Sequence, residues 1–270
     1  MSETNNPITY EIKDKLFIIT LNNPKALNSL TIPQFTQLAD LIVQANNHPT
    51  TIITLIQSTG KLFSAGANIK TITTMQSKTS DYYLSNITSK NMYLVHLFTS
   101  HRKILAIGLN GPVVGLTASL VVLCDLIYAM NDKIYMSFPF SNIGLTNECA
   151  ISASLPKRIG YSKALEHIMF AKAIPCNDLY RLGLINKVFD FTKGQDGEFN
   201  KTLQNLLAGE LDGLDGDTVL SNRALIKESF NNDIKSQVLD ESMKGLADWV
   251  ANKPQNAFAE IIKGTRKHKL

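Results

Sequence analysis

The sequence predicts an α/β fold followed by a helical C-terminal region. Apolar runs of strand length alternate with segments whose apolar residues fall at helical spacing, the pattern of layered βα units. Two of the strand-like runs end in turns built from small residues, Phe63-Ser64-Ala65-Gly66-Ala67 and Asn110-Gly111-Pro112-Val113-Val114-Gly115-Leu116. Beyond the turn-rich stretch 192–217, an apolar stripe at helical spacing reappears, marking a second, helical part.

Taken in order, residues 8–21 alternate as strand, turn and strand, with Lys13-Asp14-Lys15 as the turn. From Pro33 to Asn46 the residues Phe35, Leu38, Ala39, Ile42 and Val43 fall at helical spacing. Thr31 is the expected cap and Pro33 belongs to the first turn. Residues 51–58 form a buried strand. The stretch 71–91, rich in Thr, Ser, Asn and Lys, is expected to be mobile or weakly helical and to lie over the functional site. A helix follows over 91–100, then a strand over 104–110 and a small-residue helix over 116–123. Strands are expected at 125–129 and 134–137, and helices at 152–159 and 163–171. A further helix lies between the turn-rich ends of 192–217. Val238, Leu239, Met243, Leu246, Trp249 and Val250 form the C-terminal apolar stripe. Residues 1–200 are expected to form the core and 201–270 a helical region that serves assembly.

Composition narrows the function. The chain has 270 residues, 44% hydrophobic and 19% charged, with a net charge of only +4. This length can bury a sizeable core, and the balance is that of a soluble globular protein. The basic residues are dispersed except for Arg266-Lys267-His268-Lys269, so nucleic acid is not an expected partner. Cys124, Cys149 and Cys176 are odd in number and widely spaced, and the five histidines miss metal-ligand spacings; neither disulfides nor a metal is expected. Cys149 reads as a small buried packing residue. The N-terminus lacks a secretory pattern, and the longest apolar stretch, 116–130, is broken by Thr117, Ser119 and Asp125, so no membrane span is expected. Without secretion, the Asn86-Ile87-Thr88 sequon is expected to be unused.

The two small-residue turns carry the chemistry. Where side chains are minimal, backbone N–H groups are bare, and two of them aimed at one point make an oxyanion hole. In this order, FSAGANIK and NGPVVGLTAS resemble the two loops of the crotonase (enoyl-CoA hydratase/isomerase) superfamily. Asn22-Asn23-Pro24-Lys25-Ala26-Leu27-Asn28, Cys124-Asp125-Leu126-Ile127-Tyr128-Ala129 and Arg181-Leu182-Gly183-Leu184-Ile185-Asn186-Lys187-Val188 extend the resemblance over about residues 8–190. It implies a spiral of repeated ββα units, an acyl-CoA thioester substrate, and an enolate held by the N–H groups of Ala67 and Leu116. Coenzyme A would enter as part of the substrate, with no separate cofactor. It would lie along Ala26, Leu27, Ala65, Gly66, Ala67, Ile69 and Gly115. The resemblance also implies a homotrimer or a dimer of trimers.

Two absent glutamates decide among the family's reactions. The positions that carry the paired glutamates of hydratases are here Ser119 and Phe140. Without them a water cannot be activated and carbon 2 cannot be protonated, so hydration is not expected. Glu148, shortly after Asn142-Ile143-Gly144-Leu145, matches the single base of the family's peroxisomal 3-enoyl-CoA isomerases. As a purely structural alternative, Asn147 would cap the next helix and Glu148 would sit in its first turn. Asn91 falls where related isomerases keep an asparagine near the acyl pocket; a solvent-facing helix residue is the alternative. Phe138 and Phe140 would line the acyl channel or serve the core. Trp249 is expected to be a packing or assembly contact rather than a pocket wall. The resemblance thus implies isomerisation of 3-enoyl-CoA to 2-trans-enoyl-CoA in fatty-acid β-oxidation. The alternatives are a dienoyl-CoA isomerase, for which Asp81 is the candidate second acid, and a catalytically weak acyl-CoA-binding paralogue. The terminal His268-Lys269-Leu270 is similar to the tripeptide read by peroxisomal import receptors, so that receptor is an expected partner and the peroxisome the expected location.

Overall fold

The computed structural model describes residues 6–75 and 78–267. Strands β1 (Ile8–Lys13) and β2 (Leu16–Leu21) pair antiparallel around Asp14, whose φ of 52° makes the tight turn. β1 is the sheet edge and exposes most of its residues, whereas β2 is almost wholly buried. Helix α1 (Ile32–Asn47) starts where expected, with the Thr31 N–H donating to Gln34 Oε1 at 2.8 Å. It buries Phe35, Leu38, Ala39, Leu41, Ile42 and Ala45. β3 (Ile53–Ser58) runs parallel to β2 and is buried throughout, its polar Thr54, Gln57 and Ser58 included.

After β3 come α2 (Ile69–Thr73), α3 (Ser80–Tyr83) and α4 (Ser89–Ser100), with a π-helical turn, Leu84–Thr88, joining the last two. The segment expected to be mobile or weakly helical is therefore helical over most of its length. Its polar residues conceal Ile72, Met75, Tyr83 and Ile87, which are buried. β4 (Ile104–Leu109), β5 (Val113–Val114) and α5 (Gly115–Val122) form one ββα turn of a spiral. β6 (Leu126–Ala129), β7 (Tyr135–Ser137), α6 (Ile151–Ile159) and α7 (Tyr161–Met169) form the next. β8 (Ile174–Pro175), α8 (Cys176–Arg181) and β9 (Lys187–Val188) close it. The main sheet has the order β1-β2-β3-β4-β6-β9, parallel from β2 onward, and β5, β7 and β8 form a second small sheet.

The C-terminal part consists of α9 (Asp196–Gly209), α10 (Gly216–Asn231), α11 (Ile234–Val250) and α12 (Lys253–Ile262). Residue 200 falls inside α9. That helix belongs to the core: Phe199, Leu203 and Leu207 are buried, and Asn200 Nδ2 donates to the Ser58 carbonyl at 3.0 Å. α10 docks through charge. Asp125 accepts from Arg223 Nη2 at 2.9 Å and Lys227 Nζ at 2.8 Å. α11 packs on α3, α4 and α6, and α12 on α2, so the last two helices close over the segment 69–100. Among the described residues no helix is long and apolar enough to cross a membrane.

Candidate active site

The site lies at the C-terminal ends of β3 and β4, where the two small-residue loops run side by side. The Phe63 N–H donates to the Pro112 carbonyl and the Val114 N–H to the Ser64 carbonyl, each at 3.0 Å. On its other flank the first loop is tied to residues 27–30: Ala65 N–H to Leu27 O at 3.0 Å and Leu30 N–H to Gly66 O at 2.8 Å. Gly66 has a φ of 86°, and a Cβ there would stand 2.8 Å from the Val114 carbonyl oxygen. Its smallness is thus what lets the two loops touch. Asn110 locks the pair, accepting from Ser58 Oγ at 2.5 Å and donating to Gly60 O at 2.6 Å. Asn28, buried, does the same from the other side by donating to the carbonyls of Thr59 and Leu62.

This strapping leaves two N–H groups over. The Ala67 N–H has no acceptor among the described residues. The Leu116 N–H lies in the first turn of α5, where a helix offers no internal acceptor. Both residues line one apolar pocket, together with Gly66 and Gly115. The start of α5 adds its partial positive charge there. The expected oxyanion donors therefore belong to residues lining the same pocket, which is walled by Phe35, Ile72, Met75, Ile87, Phe140 and Phe258. A second groove shares Ala65, Ala67, Asn68 and Ile69 with it and runs on to Ala26 and Leu27, flanked by Lys25 and Lys70. Every residue expected to contact coenzyme A thus lies on one or other of these surfaces.

Glu148 is the one carboxylate among the described residues lining the pocket. It stands on the loop between β7 and α6. Its Oε1 accepts from Asn91 Nδ2 at 3.1 Å and from Trp249 Nε1 at 3.3 Å. Burial pushes its carboxyl up to about 7. The hydrogen bonds of Trp249 and Asn91 oppose that rise, and the charge of Glu241 adds to it. Such a group can take and return a proton near neutral pH.

Several expectations are sharpened or overturned. Asn91 is buried and faces Glu148, not solvent. Asn147 does not cap the following helix. α6 begins at Ile151, beyond Glu148, and the leading N–H groups of Ala150 and Ser152 are taken by Glu241. The sequence alone points to packing or assembly for Trp249. It instead lines the pocket and reaches the carboxylate, stacked on Tyr83 at 6.0 Å. A lone tryptophan on a helical stripe gives no sequence signal for this, because its partner lies 101 residues away. Phe140 is a pocket wall and Phe138 is core. Ser119 is buried, with its hydroxyl turned to the Gly115 carbonyl. Cys149 is buried as expected. Asp81 is exposed and does not line the pocket. His268-Lys269-Leu270 lies outside the described residues.

Comparison with known proteins places the chain in a family. The family model described as enoyl-CoA hydratase/isomerase matches residues 11–207. The 3,2-trans-enoyl-CoA isomerase of Saccharomyces cerevisiae is 34% identical, covering 98% of both chains. The Delta(3,5)-Delta(2,4)-dienoyl-CoA isomerase of the same yeast is 33% identical, over 97% of this chain and 98% of that one. An enoyl-CoA hydratase from Bacillus halodurans superposes with a TM-score of 0.82 at 21% identity, covering 94% of this chain and 99% of that one. Sequence motifs, spiral topology and paired loops therefore agree that the chain belongs to the enoyl-CoA hydratase/isomerase family.

Proposed function

We propose that the protein isomerises 3-enoyl-CoA thioesters to 2-trans-enoyl-CoA. The observation that carries this reading is one protonatable carboxylate, Glu148, in the same apolar pocket as the unpartnered N–H groups of Ala67 and Leu116. The thioester oxygen sits between the two N–H groups. Glu148 removes a proton from carbon 2, and the electron pair moves into a dienolate whose negative oxygen the two donors hold. The same carboxyl returns the proton to carbon 4, and the double bond then lies between carbons 2 and 3. No water is consumed, in keeping with Ser119 and Phe140 at the places where a hydratase keeps its glutamates. The apolar walls take the acyl chain, and the groove beside Ala26 and Leu27 takes the coenzyme A portion, with Lys25 and Lys70 near its phosphates. By the same reading the protein works in β-oxidation as a homotrimer or a dimer of trimers. It enters peroxisomes through His268-Lys269-Leu270, and a tagged protein lacking those three residues would remain in the cytosol.

The purified protein mixed with a trans-3-enoyl-CoA should produce the absorbance of the conjugated 2-enoyl thioester, and Glu148→Gln should abolish the signal while acyl-CoA still binds. The similarity to a dienoyl-CoA isomerase makes a 3,5-dienoyl-CoA the necessary second substrate. Turnover of that substrate alone would replace the reading with the dienoyl reaction. Binding without turnover of either would make the protein an acyl-CoA binder.

A further inference from the structure

The loop that carries Glu148 enters α6 through two consecutive left-handed residues, Cys149 and Ala150, both at φ 59° and neither a glycine. This conformation costs roughly 1–2 kcal/mol per residue and persists only where the surroundings enforce it. What enforces it is a second buried carboxylate. Glu241 of α11 is 4% exposed, and its two oxygens accept from the Ala150 N–H at 2.6 Å, the Ser152 N–H at 2.8 Å and Ser152 Oγ at 2.5 Å. The isomerisation assigns it no step. Glu241, Gly245 and Trp249 are spaced by four residues and so share one face of α11. All three line a small cavity of ≈ 10 Å³ behind Glu148, about room for one water molecule. One residue along, Asp248 accepts from the Thr146 N–H and Oγ1 at 2.9 and 2.8 Å. A single helix therefore grips the segment 146–152 before, at and after the base.

We infer that Glu241 is the positioning residue of Glu148: it clamps the left-handed Cys149–Ala150 corner and so fixes where the Glu148 carboxyl points. It touches no substrate and acts only through the corner and its charge. The titratable or charged groups that share a cavity lining with Glu148 are Glu241 from α11, the adjacent Cys149, and Lys90 from α4 on the pocket wall. Asp248 is paired with Lys253 at 2.7 Å. Glu241 is the negative charge behind the base.

This inference rests on the isomerase reading only for its kinetic readout. Glu241→Gln removes the charge and turns an amide donor toward N–H groups that need an acceptor. In the folded variant, kcat should fall by about tenfold or more with KM within about twofold, as for a displaced catalytic group. The pH midpoint of kcat should move to lower pH, which a residue that merely capped α6 would not cause. Ser152→Ala removes one of the three bonds; kcat should fall severalfold at unchanged KM, and this variant decides the matter if Glu241→Gln does not fold. A kcat within twofold of the parent and an unmoved midpoint, in whichever variant folds, overturns the inference. The titration of Glu148 can also be followed without substrate, as the difference in urea stability between each protein and its Glu148→Gln version from pH 4 to 8. If the parent isomerises nothing yet Glu241→Gln shifts that titration downward, the isomerase reading fails and the positioning role stands.

Discussion

Asn91 and Trp249 donate to the same oxygen of Glu148, and among the described residues no hydrogen bond reaches the other oxygen. The two donors come from α4 and α11, which are far apart in the chain. Together they hold the carboxylate by Oε1 and leave Oε2 free of them, so in the proposed reaction Oε2 is the proton-transferring atom. Both bonds favour the charged form. Asn91→Ala and Trp249→Phe should each raise the pH at which activity reaches half its maximum, the second while keeping a ring against Tyr83. Because they share one acceptor, the double variant should depart from additivity, measured as a double-mutant cycle on kcat.

The pH dependence has a definite sign. Glu148 in the folded protein titrates near 7, above its ordinary 4.5. In the proposed reaction the carboxylate is the working form, so kcat/KM should rise through pH 7 and level off. Stability should run the other way. Between pH 4.5 and 7 the folded state holds a proton that the unfolded chain has released, so stability falls as pH rises, by up to about 3 kcal/mol. Glu241, raised by burial, adds a slope of the same sign. Denaturant titrations of the parent and Glu148→Gln isolate the Glu148 part.

Gly66→Ala should damage catalysis more than folding. The added methyl would press on the Val114 carbonyl at a positive φ, so the loops must part and the Ala67 and Leu116 N–H groups must diverge. A loss of about 10²-fold in kcat is expected for one displaced oxyanion donor. Steady-state kinetics beside a thermal melt would check it.

Asp125 should matter for stability alone. Burial by itself would raise its carboxyl, but Lys227 and Arg223 together outweigh that and hold it below the usual range. Asp125→Asn leaves the buried Lys227 and the partly buried Arg223 without their counter-charge, at a cost of about 3–5 kcal/mol. In the parent, this contribution is present above the ordinary carboxylate range and is lost as pH falls through the lowered folded value. Hydrogen exchange should show α10 opening first in the variant.

The layered α/β pattern and the two loops are legible in the sequence because both depend on local patterns, whereas the spiral is implied by the family resemblance. Phe63–Ala67 and Asn110–Leu116 are tight turns after apolar runs, and their small residues are visible in a single dimension. Glu148 was found through a family position rather than through its neighbours. What stayed hidden is whatever depends on distant contacts. Trp249 looked like packing because nothing local says that its indole reaches a loop 101 residues earlier. Glu241 is one acidic residue on a polar helix until α6 is seen against it. The stretch 71–91 looked loosely ordered because its four buried apolar residues are scattered among hydroxyls and amides, and their partners lie on α11 and α12.

The order of these parts along the chain has a consequence for biosynthesis. Translation from the N-terminus delivers both small-residue loops first, then Glu148, 101 residues before Trp249, and Phe258 later still. Until α11 and α12 emerge, the carboxylate lacks its indole donor and the part of its surroundings supplied by Trp249 and Phe258, so it should be more open to water than in the finished pocket. A nascent or C-terminally clipped chain can therefore display the loops without a competent base. Under the proposed reaction, catalytic competence should therefore come late, with the helices that complete the pocket.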